Sequence, residues 1–448
     1  MVEQKHVLLL LGVASLLVIV GLLQSISLLE IDEIASDIVY TPREFVPVNK
    51  LTGSIVQTNM TGSILHSSHF CHSVDQASGN SRRGSCRFKN LCAISDKNAR
   101  EGLRWLYISP RPDLKIEFSL GTGPHIVDDR VLVTPEIIGA QAFEKEFPKY
   151  QTFESKAALF HEYNGENFGH VLTDVLMPLY FLQRSFADEA DRNITLFEFS
   201  PRRPMGNNCK WMLRKKEWKT RATQHCGPLR KQLFPTFSLN EVLPFDENAT
   251  LVQNMPFCFK DVELGTGMLS DDCLEGTHGR KPSKYSLCNH GKQAVFWEFR
   301  KFLIEGLGVK DNIPNRPVIT IWNGNPKRRV TGLEACVEAI RAELPQVHVQ
   351  IVSLETMSFA EQVKVMVNTT VHVTTPGGGS FVSIFLPRGA TAIRLFSMEY
   401  LLEHHFFPYL GYIHVEHVDV TANRHVVEPT ILLPLVQDAL NRFELFKK

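Results

Sequence analysis

The stretch that decides the fold runs from residue 316 to residue 396 and reads RPVITIWNGNPKRRVTGLEACVEAIRAELPQVHVQIVSLETMSFAEQVKVMVNTTVHVTTPGGGSFVSIFLPRGATAIRLF. Runs of β-branched residues alternate in it with segments of helical period, which is typical of a parallel sheet built from βαβ units. The pattern predicts strands at residues 318–322, 347–352, 370–374 and 392–396. Such a sheet binds its ligands at the carboxyl ends of its strands.

Two of these strand ends carry groups suited to an anion. The first strand is followed by an amide and three consecutive cations: Asn323, Lys327, Arg328 and Arg329. The third is followed by three glycines and a serine: Gly377, Gly378, Gly379 and Ser380. Arginine can bind phosphate oxygens in a bidentate manner, and glycines let the backbone approach a ligand closely. A basic triplet alone is more typical of a solvated loop than of a phosphate site, but the glycine loop beside it favours a diphosphate site.

A pair of titratable side chains precedes this stretch. Residues 170–184 have the apolar period of a helix, with Asn167 as its predicted N-cap. His170 and Asp174 are four residues apart and therefore share one side of that helix. A carboxylate beside an imidazole can fix its tautomer, so either residue is a candidate for taking a proton from a hydroxyl group. The alternative is an aspartate that serves the helix dipole beside an incidental histidine.

The amino-terminal sequence predicts a membrane anchor. Residues 7–29 are almost entirely apolar, which is about the ~20 residues that a membrane span needs. Lys5 precedes the segment, and Glu30, Asp32 and Glu33 follow it. This excess of positive charge on the amino-terminal side predicts a cytosolic amino terminus. A cleaved signal peptide is the alternative. The formal net charge of zero argues against nucleic acid as the main partner.

Cysteines and glycosylation triplets agree with an oxidising, luminal compartment. Cys336 lies on the apolar stripe of a helix and is predicted to be a buried free thiol, whereas the other eight cysteines lie in polar stretches and are predicted to form disulfides whose pairing stays open. These eight are Cys71, Cys86, Cys92, Cys209, Cys226, Cys258, Cys273 and Cys288. Glycosylation is predicted at Asn59, Asn193 and Asn248. A fourth triplet, at Asn368, leads directly into a strand, and we do not predict its use.

The block between the two candidate sites is less regular. Residues 191–292 contain five of the cysteines and a basic run at residues 210–221. We interpret the block as strand-and-loop insertions held by disulfides, with the basic run as a solvated face. A helix at residues 294–307 then leads into the βαβ stretch. Two open α/β domains with a cleft between them are the simplest architecture that fits this order.

Several short motifs together resemble glycosyltransferase family 61. They are Asn167-Phe-Gly-His-Val-Leu-Thr-Asp174, the Arg328-Arg329 pair, Phe359-Ala-Glu-Gln362 and Phe385-Leu-Pro-Arg-Gly-Ala390, and the likeness covers about residues 156–396. The resemblance implies a GT-B-like fold, in which two Rossmann-type domains face a cleft. It also implies transfer from a UDP-sugar, of xylose or N-acetylglucosamine, with inversion and with no cofactor or essential metal, and it makes Glu361 a candidate ribose ligand. Family members commonly carry histidine where this chain has Pro376.

These observations combine into one expected organisation. We expect a cytosolic tail at residues 1–6, a transmembrane signal anchor at 7–29, a luminal stem at 30–68, an acceptor-side domain at 69–292 and a nucleotide-sugar-binding domain at 293–448. The expected protein is a single-pass type II enzyme of the Golgi or endoplasmic reticulum membrane that glycosylates a glycan or glycoprotein hydroxyl. The alternatives are an inactive luminal glycan-binding or scaffold protein of the same fold, and a secreted enzyme without an anchor.

Overall fold

The computed structural model describes residues 55–59, 65–72, 85–99, 101–121, 132–162, 164–201, 209–265, 293–324, 329–395, 407–420 and 425–447. The predicted cytosolic tail and anchor lie outside these ranges, as do most of the predicted stem, Cys273 and Cys288. Within the described ranges, no helix has both the length and the apolar character needed to cross a bilayer.

The larger of two main sheets is mixed. Its strands are β1 (Ile55–Asn59), β2 (Ser68–His72), β3 (Ser85–Lys89), β4 (Leu91–Ser95), β5 (Leu103–Ile108), β8 (Glu136–Ile138), β9 (Lys149–Phe160), β10 (Thr195–Phe199), β11 (Leu243–Phe245) and β12 (Phe257–Leu264). The order β11-β10-β9-β12-β4-β5-β8 places four parallel strands, β11 to β12, beside the antiparallel pairs β12–β4 and β4–β5, and β8 runs parallel to β5. β6 (Phe118–Ser119) and β7 (Leu132–Val133) form a separate pair. β1 lies within the stretch predicted as stem, and it pairs with β9.

The helices on this sheet include some that the sequence pattern does not predict. They are α1 (Ala140–Glu146), α2 (Phe168–His170), α3 (Met177–Arg184), α4 (Cys209–Arg214) and α5 (Lys216–Phe237), with a π-helical segment (Val171–Leu176) between α2 and α3 and a short 3-10 helix at Thr250–Val252. The interpretation of residues 191–292 as strand-and-loop insertions is therefore wrong for α4 and α5. Gly227, Pro228 and Pro235 lower the helix propensity of α5, but tertiary contacts described below override it.

The second sheet confirms the pattern of the deciding stretch. Its five strands are parallel: β13 (Val318–Trp322), β14 (His348–Ile351), β15 (Val371–Thr374), β16 (Thr391–Leu395) and β17 (His414–Val418). The accompanying helices are α6 (Gln293–Gly306), α7 (Leu333–Glu343), α8 (Phe359–Val367) and α9 (Pro429–Lys447), with 3-10 helices at Leu354–Thr356, Gly378–Phe385 and Phe407–Tyr409. The order β14-β13-β15-β16-β17 reverses between β13 and β15, which makes their carboxyl ends a topological switch point.

One apolar core contains residues from the helices of both sheets. One buried cluster includes Val171 and Leu176 of the π-helical segment, Phe299 of α6, Val363 of α8 and Phe385 of the glycine-loop helix. The sequence therefore folds into a mixed α/β structure with Rossmann-like parallel sheets, in which apolar packing joins the start of the His170 helix to the loops of the second sheet.

Disulfides tie the first sheet and its helices. The pairs are Cys71–Cys86, Cys92–Cys258 and Cys209–Cys226, and Cys336 is buried and free. Six of the eight predicted disulfide cysteines are thus paired, and the prediction for Cys336 is confirmed. Disulfides of this kind persist in secreted and luminal proteins.

Candidate active site

The predicted proton-transfer pair forms at the start of the helix. Asn167 is the N-cap, as predicted, because its side chain accepts a hydrogen bond from the Gly169 amide at 2.9 Å. His170 Nδ1 lies 2.5 Å from Asp174 Oδ2. A carboxylate can only accept, so Nδ1 donates this bond and Nε2 keeps the lone pair. The Asp174 side chain is 1% exposed and that of His170 is 23% exposed, so His170 is the member that a substrate can contact.

The helix around this pair departs from the predicted regular α-helix. Val171–Leu176 is π-helical, and the Met177 amide bonds back to the Leu172 carbonyl. The Thr173 hydroxyl donates to the Gly169 carbonyl at 2.8 Å and lies 3.2 Å from Asp174 Oδ1. Single turns of π-helix occur often at functional sites. No residue type specifies a π turn, so the sequence could not have predicted it.

The loop that leads to Asn167 is held by helix α5. Arg230 on α5 contacts Glu162 at 3.2 Å and Glu198, at the end of β10, at 2.9 Å. Arg221 on the same helix pairs with Glu166 at 2.5 Å. The Cys209–Cys226 disulfide fixes α4 against α5. Arginine 230 thus joins two parallel strand ends to α5, and this explains why the helix forms despite its prolines.

Burial and the shared arginine separate the pKa values of the two carboxyl groups. Burial raises the pKa of Glu162 to about 7, although Arg230 pulls it downward. Burial would also raise the pKa of Glu198, but the attraction of Arg230, its hydrogen bond and the nearby Lys210 together lower it. Glu198 therefore carries the charge that balances Arg230, and Glu162 sits close to its titration point at neutral pH.

On the second sheet, Asn323 closes the loop that carries the predicted cations. Its Nδ2 donates to the Val330 carbonyl at 2.7 Å and its Oδ1 accepts from the Val330 amide at 3.1 Å. Arg329 is exposed at the end of this loop, while Lys327 and Arg328 lie outside the described residues. Asn323, predicted as a donor ligand, is thus engaged in shaping the loop, and Arg329 reaches solvent at the switch point.

The glycine loop packs closely against other residues of the protein, whereas its sequence predicts a close approach to a ligand. Gly377 has a φ of 143°, a conformation that other residues rarely adopt. A Cβ on Gly379 would collide with the ring of Trp322, the last residue of β13. Ser380 is buried, and its hydroxyl donates to the Gly377 carbonyl at 2.8 Å. Ser380 therefore shapes the loop in this structure.

Buried hydrogen bonds hold the carboxyl end of the 3-10 helix at Gly378–Phe385. Arg300 of α6 is fully buried and donates to the carbonyls of Phe385 at 3.0 Å and Leu386 at 2.9 Å. The Tyr412 hydroxyl donates to the Ile384 carbonyl at 2.7 Å. Because these bonds satisfy the last carbonyls of the 3-10 helix, the loop at its other end is rigidly placed.

The predicted proton-transfer helix and the glycine loop meet. A Cβ on Gly378 would lie 2.7 Å from Asn167 Oδ1, and a Cβ on Gly169 would lie 2.7 Å from the Phe381 ring. Neither position has room for a side chain, because the N-cap turn and the glycine loop lie too close together. The structure thus brings the N-cap turn of the His170 helix against the glycine loop of the second sheet.

The two acidic residues near the switch point have different surroundings. Glu361, the predicted ribose ligand, is exposed and forms a capping box: its Oε2 accepts from the Ser358 amide and hydroxyl, each at 2.7 Å, and these bonds lower its pKa. Glu355 is exposed and accepts from Trp322 Nε1 at 3.1 Å. A Cβ on Gly324 would lie 2.8 Å from its Oε2. Sequence reasoning missed Glu355, whose signal is its position just after strand β14.

The remaining predicted residues concern modification and metal binding. Asn193 and Asn248 are exposed, and Asn59 ends strand β1, where only the backbone is described. Among the described residues, no group of three or more His, Cys, Asp or Glu side chains is arranged to hold a metal ion.

The comparisons with known proteins agree with this geometry. The family described as Glycosyltransferase 61 matches residues 168–393, which is half of the chain and runs from the His170 helix to strand β16. The chain belongs to glycosyltransferase family 61. The resemblance drawn from its short motifs is thereby confirmed, and the matched range is that of a glycosyltransferase domain.

A relative within curated proteins is also a glycosyltransferase. Protein O-linked-mannose β-1,4-N-acetylglucosaminyltransferase 2 of Xenopus tropicalis is 23% identical over 332 residues, 72% of this family 61 chain and 52% of the relative. The chain thus spans about half the length of that relative. Among solved structures, E. coli heptosyltransferase WaaC with ADP covers 64% of the chain at 10% identity with a TM-score of 0.28. The match covers 100% of the WaaC chain.

Proposed function

We propose that this family 61 member transfers a sugar from a UDP-sugar to a hydroxyl of a glycan or glycoprotein, in one step, with inversion and without an essential metal. One observation carries the proposal: the turn before His170 packs on Gly378, at the carboxyl edge of the second sheet. A proton acceptor and a candidate diphosphate site are therefore neighbours, as a displacement at a sugar carbon requires. In this proposal the two sheets form the Rossmann-type lobes of a GT-B-like cleft.

The donor binds, in this proposal, at the switch point between β13 and β15. The diphosphate lies on the backbone amides of Gly377, Gly378 and Gly379, and the loop cations Lys327, Arg328 and Arg329 offset its charge. Glu355, rather than Glu361, binds a nucleoside hydroxyl, because the capping box already uses the Glu361 carboxylate. Charge builds on the diphosphate as its bond to the sugar breaks, so these contacts strengthen in the transition state.

The acceptor approaches from the side of the first sheet. His170 Nε2 takes the proton of the acceptor hydroxyl, whose oxygen attacks the anomeric carbon on the face opposite the diphosphate. The bond from that carbon to the diphosphate oxygen breaks, and UDP leaves. Asp174 accepts the hydrogen bond that Nδ1 donates throughout and stabilises the imidazolium that forms. The name of the frog relative favours UDP-N-acetylglucosamine over UDP-xylose as the donor.

The cellular setting is part of the proposal. Three disulfides fit a luminal or secreted protein. We place the protein in the Golgi or endoplasmic reticulum, held by the apolar segment at residues 7–29 as a type II signal anchor. An intact amino terminus on the mature protein would support the anchor, and a new terminus near residue 30 would replace it with a cleaved signal peptide.

The test is a transfer assay with the full-length chain in microsomes from insect cells. A panel of UDP-sugars is offered with mannosyl and glycoprotein acceptors, with and without EDTA. We expect transfer from one donor, insensitive to EDTA and reduced about 10²–10⁴-fold in kcat by His170→Asn, the range for loss of a general base. His348→Asn is the matched control, because His348 is exposed on strand β14, away from the switch point.

The outcomes separate the competing functions. Donor-dependent stabilisation without turnover of any donor favours an inactive binding protein of the same fold. Activity that collapses in EDTA contradicts the metal-free mechanism. Full activity of His170→Asn removes His170 from the role of base while leaving the family assignment intact.

A further inference from the structure

A groove of about 490 Å³ lies on the second lobe, between helix α8 and strand β14. Its volume is within the ~300–1,000 Å³ of small-ligand pockets. Val318, Met357 and Val365 give it a partly buried apolar floor, and polar side chains form its rim: His348, Gln350, Glu361, Lys364 and Asn368. The Glu361 carboxylate is engaged in the helix cap, so the proposed donor site makes no use of this groove.

The groove borders an open edge of the second sheet. β14 is the first strand in the order of that sheet, and among the described residues it pairs with β13 alone. Ile351 at its end is 59% exposed. An edge strand with exposed apolar residues is a template for pairing with another chain unless something covers it.

The rim of the groove carries a glycosylation triplet. Asn368, Thr369 and Thr370 form the acceptor sequence Asn-x-Thr. Asn368 is exposed at the C-cap of α8, and its Nδ2 donates to the Lys364 carbonyl at 2.8 Å. The sequence analysis set this triplet aside because it runs into a strand. The strand begins only at Val371, and the asparagine itself stands outside the sheet.

We propose that Asn368 carries an N-linked oligosaccharide whose first sugars lie in this groove and cover the outer edge of β14. The apolar floor suits the faces of sugar rings, and the polar rim can bind their hydroxyls. The glycan is bulky and hydrophilic, so it blocks strand addition at the edge. The burial of Thr369 and Thr370 is compatible with the modification if the asparagine is modified before the strand folds into the sheet.

Site occupancy is the first experiment. The full-length chain is expressed in insect cells, digested and treated with peptide N-glycosidase in heavy-oxygen water, so that each glycosylated asparagine acquires a mass label. We expect the Asn368 peptide to be labelled. An unlabelled Asn368 peptide overturns the proposal, and this outcome is independent of whether the protein transfers sugar.

The second experiment tests what the glycan covers. Asn368→Gln is compared with Asn248→Gln, which removes a glycan from an exposed site away from the groove. Both variants should lose one glycan step on a denaturing gel, but Asn368→Gln alone should self-associate on size exclusion. Equal behaviour of the two variants overturns the covering role.

A third measurement avoids the risk that Asn368→Gln fails to fold. The folded wild-type protein is trimmed with an endoglycosidase that leaves one sugar on each site, and amide exchange is followed by mass spectrometry. We expect faster exchange at residues 348–351 of β14 and unchanged exchange in the interior strand β16. Unchanged exchange in both strands contradicts a glycan seated along the edge.

Discussion

The loops at the strand ends of the two sheets are held in place in different ways. In the second sheet, the loops after β13 and β15 are neighbours because the chain order itself puts them on both sides of the switch point. In the first sheet, the loop before Asn167 is placed by Arg221 and Arg230, which come more than fifty residues later on α5. The edge proposed to bind the donor, here called the donor edge, is thus built from local βαβ units, and the proposed acceptor edge from contacts distant in sequence. Its dependence on a few buried ion pairs makes the acceptor edge the more fragile of the two.

The largest effect is expected at Arg230. Arg230→Met leaves Glu162 and Glu198 buried without their cation, and breaking such a pair typically costs about 3–5 kcal/mol. The free energy of unfolding from urea titration should fall by that amount. Arg341→Met is the control, because Arg341 pairs with Glu338 on the surface and its loss should cost under ~1 kcal/mol. Equal losses would mean that the acceptor edge is no more fragile than the surface.

The contact between the two edges should be the next most sensitive point. Gly378→Ala places a methyl group about 2.7 Å from Asn167 Oδ1, which forces the His170 turn away from the glycine loop. A displacement of about 1 Å can cost ~10²-fold in rate, so kcat should fall by about that factor while the protein stays folded. Gly139→Ala, where a Cβ meets no atom within 4 Å, should leave kcat unchanged. An active Gly378→Ala would mean that the contact does not set the geometry.

The two glutamates of the donor edge should respond differently. Glu355→Gln should raise the KM for the UDP-sugar by roughly tenfold with little change in stability. A tenfold change corresponds to the ~1.4 kcal/mol of one lost charged hydrogen bond. Glu361→Gln should lower the melting temperature slightly, because it weakens the capping box, and should leave KM unchanged. Steady-state kinetics and thermal melts on the same samples measure both. The reverse pattern would return the nucleoside contact to Glu361.

The last of these predictions concerns the pH dependence of stability. Folding raises the pKa of Glu162 from 4.5 to about 7, so the folded state binds more protons than the unfolded state between these values. Stability should therefore fall as pH rises from 4.5 to about 7, by at most about 1.4 kcal/mol per pH unit for this group. Glu162→Gln cannot titrate and should show a shallower decline in urea titrations across this range. Identical slopes would mean that Glu162 stays ionised beside Arg230.

The contrast between the edges also explains what could be predicted from sequence. The strand predicted at residues 318–322 is β13 residue for residue, because parallel buried strands leave an uninterrupted β-branched run. The four-residue spacing of His170 and Asp174 was enough to predict their contact. Helix α5 was missed because Gly227 and Pro228 outweigh its helix formers in sequence, whereas the Arg230 ion pairs and a disulfide hold it in the fold.

What sequence reasoning could not supply is the encounter of distant parts. Nothing near Gly378 in the chain indicates that Asn167 lies against it, since more than two hundred residues separate them. Glu361 was predicted through a family motif and Glu355 was not considered. Only the hydrogen bonds show that the cap uses Glu361 and that Trp322 contacts Glu355. A motif indicates the region of the chain that contributes to the site, and the hydrogen-bond partners show which residue in that region can still bind a ligand.

The indole of Trp322 gives the donor edge a built-in optical reporter. Its ring lies under Gly379, and its Nε1 donates to Glu355, so a diphosphate on the glycine loop would change the electric field across a nearly buried fluorophore. Titrating UDP-sugars should therefore shift the emission spectrum of the native protein, and Trp322→Phe should abolish that shift. Donor preference could then be ranked by fluorescence before any acceptor is known.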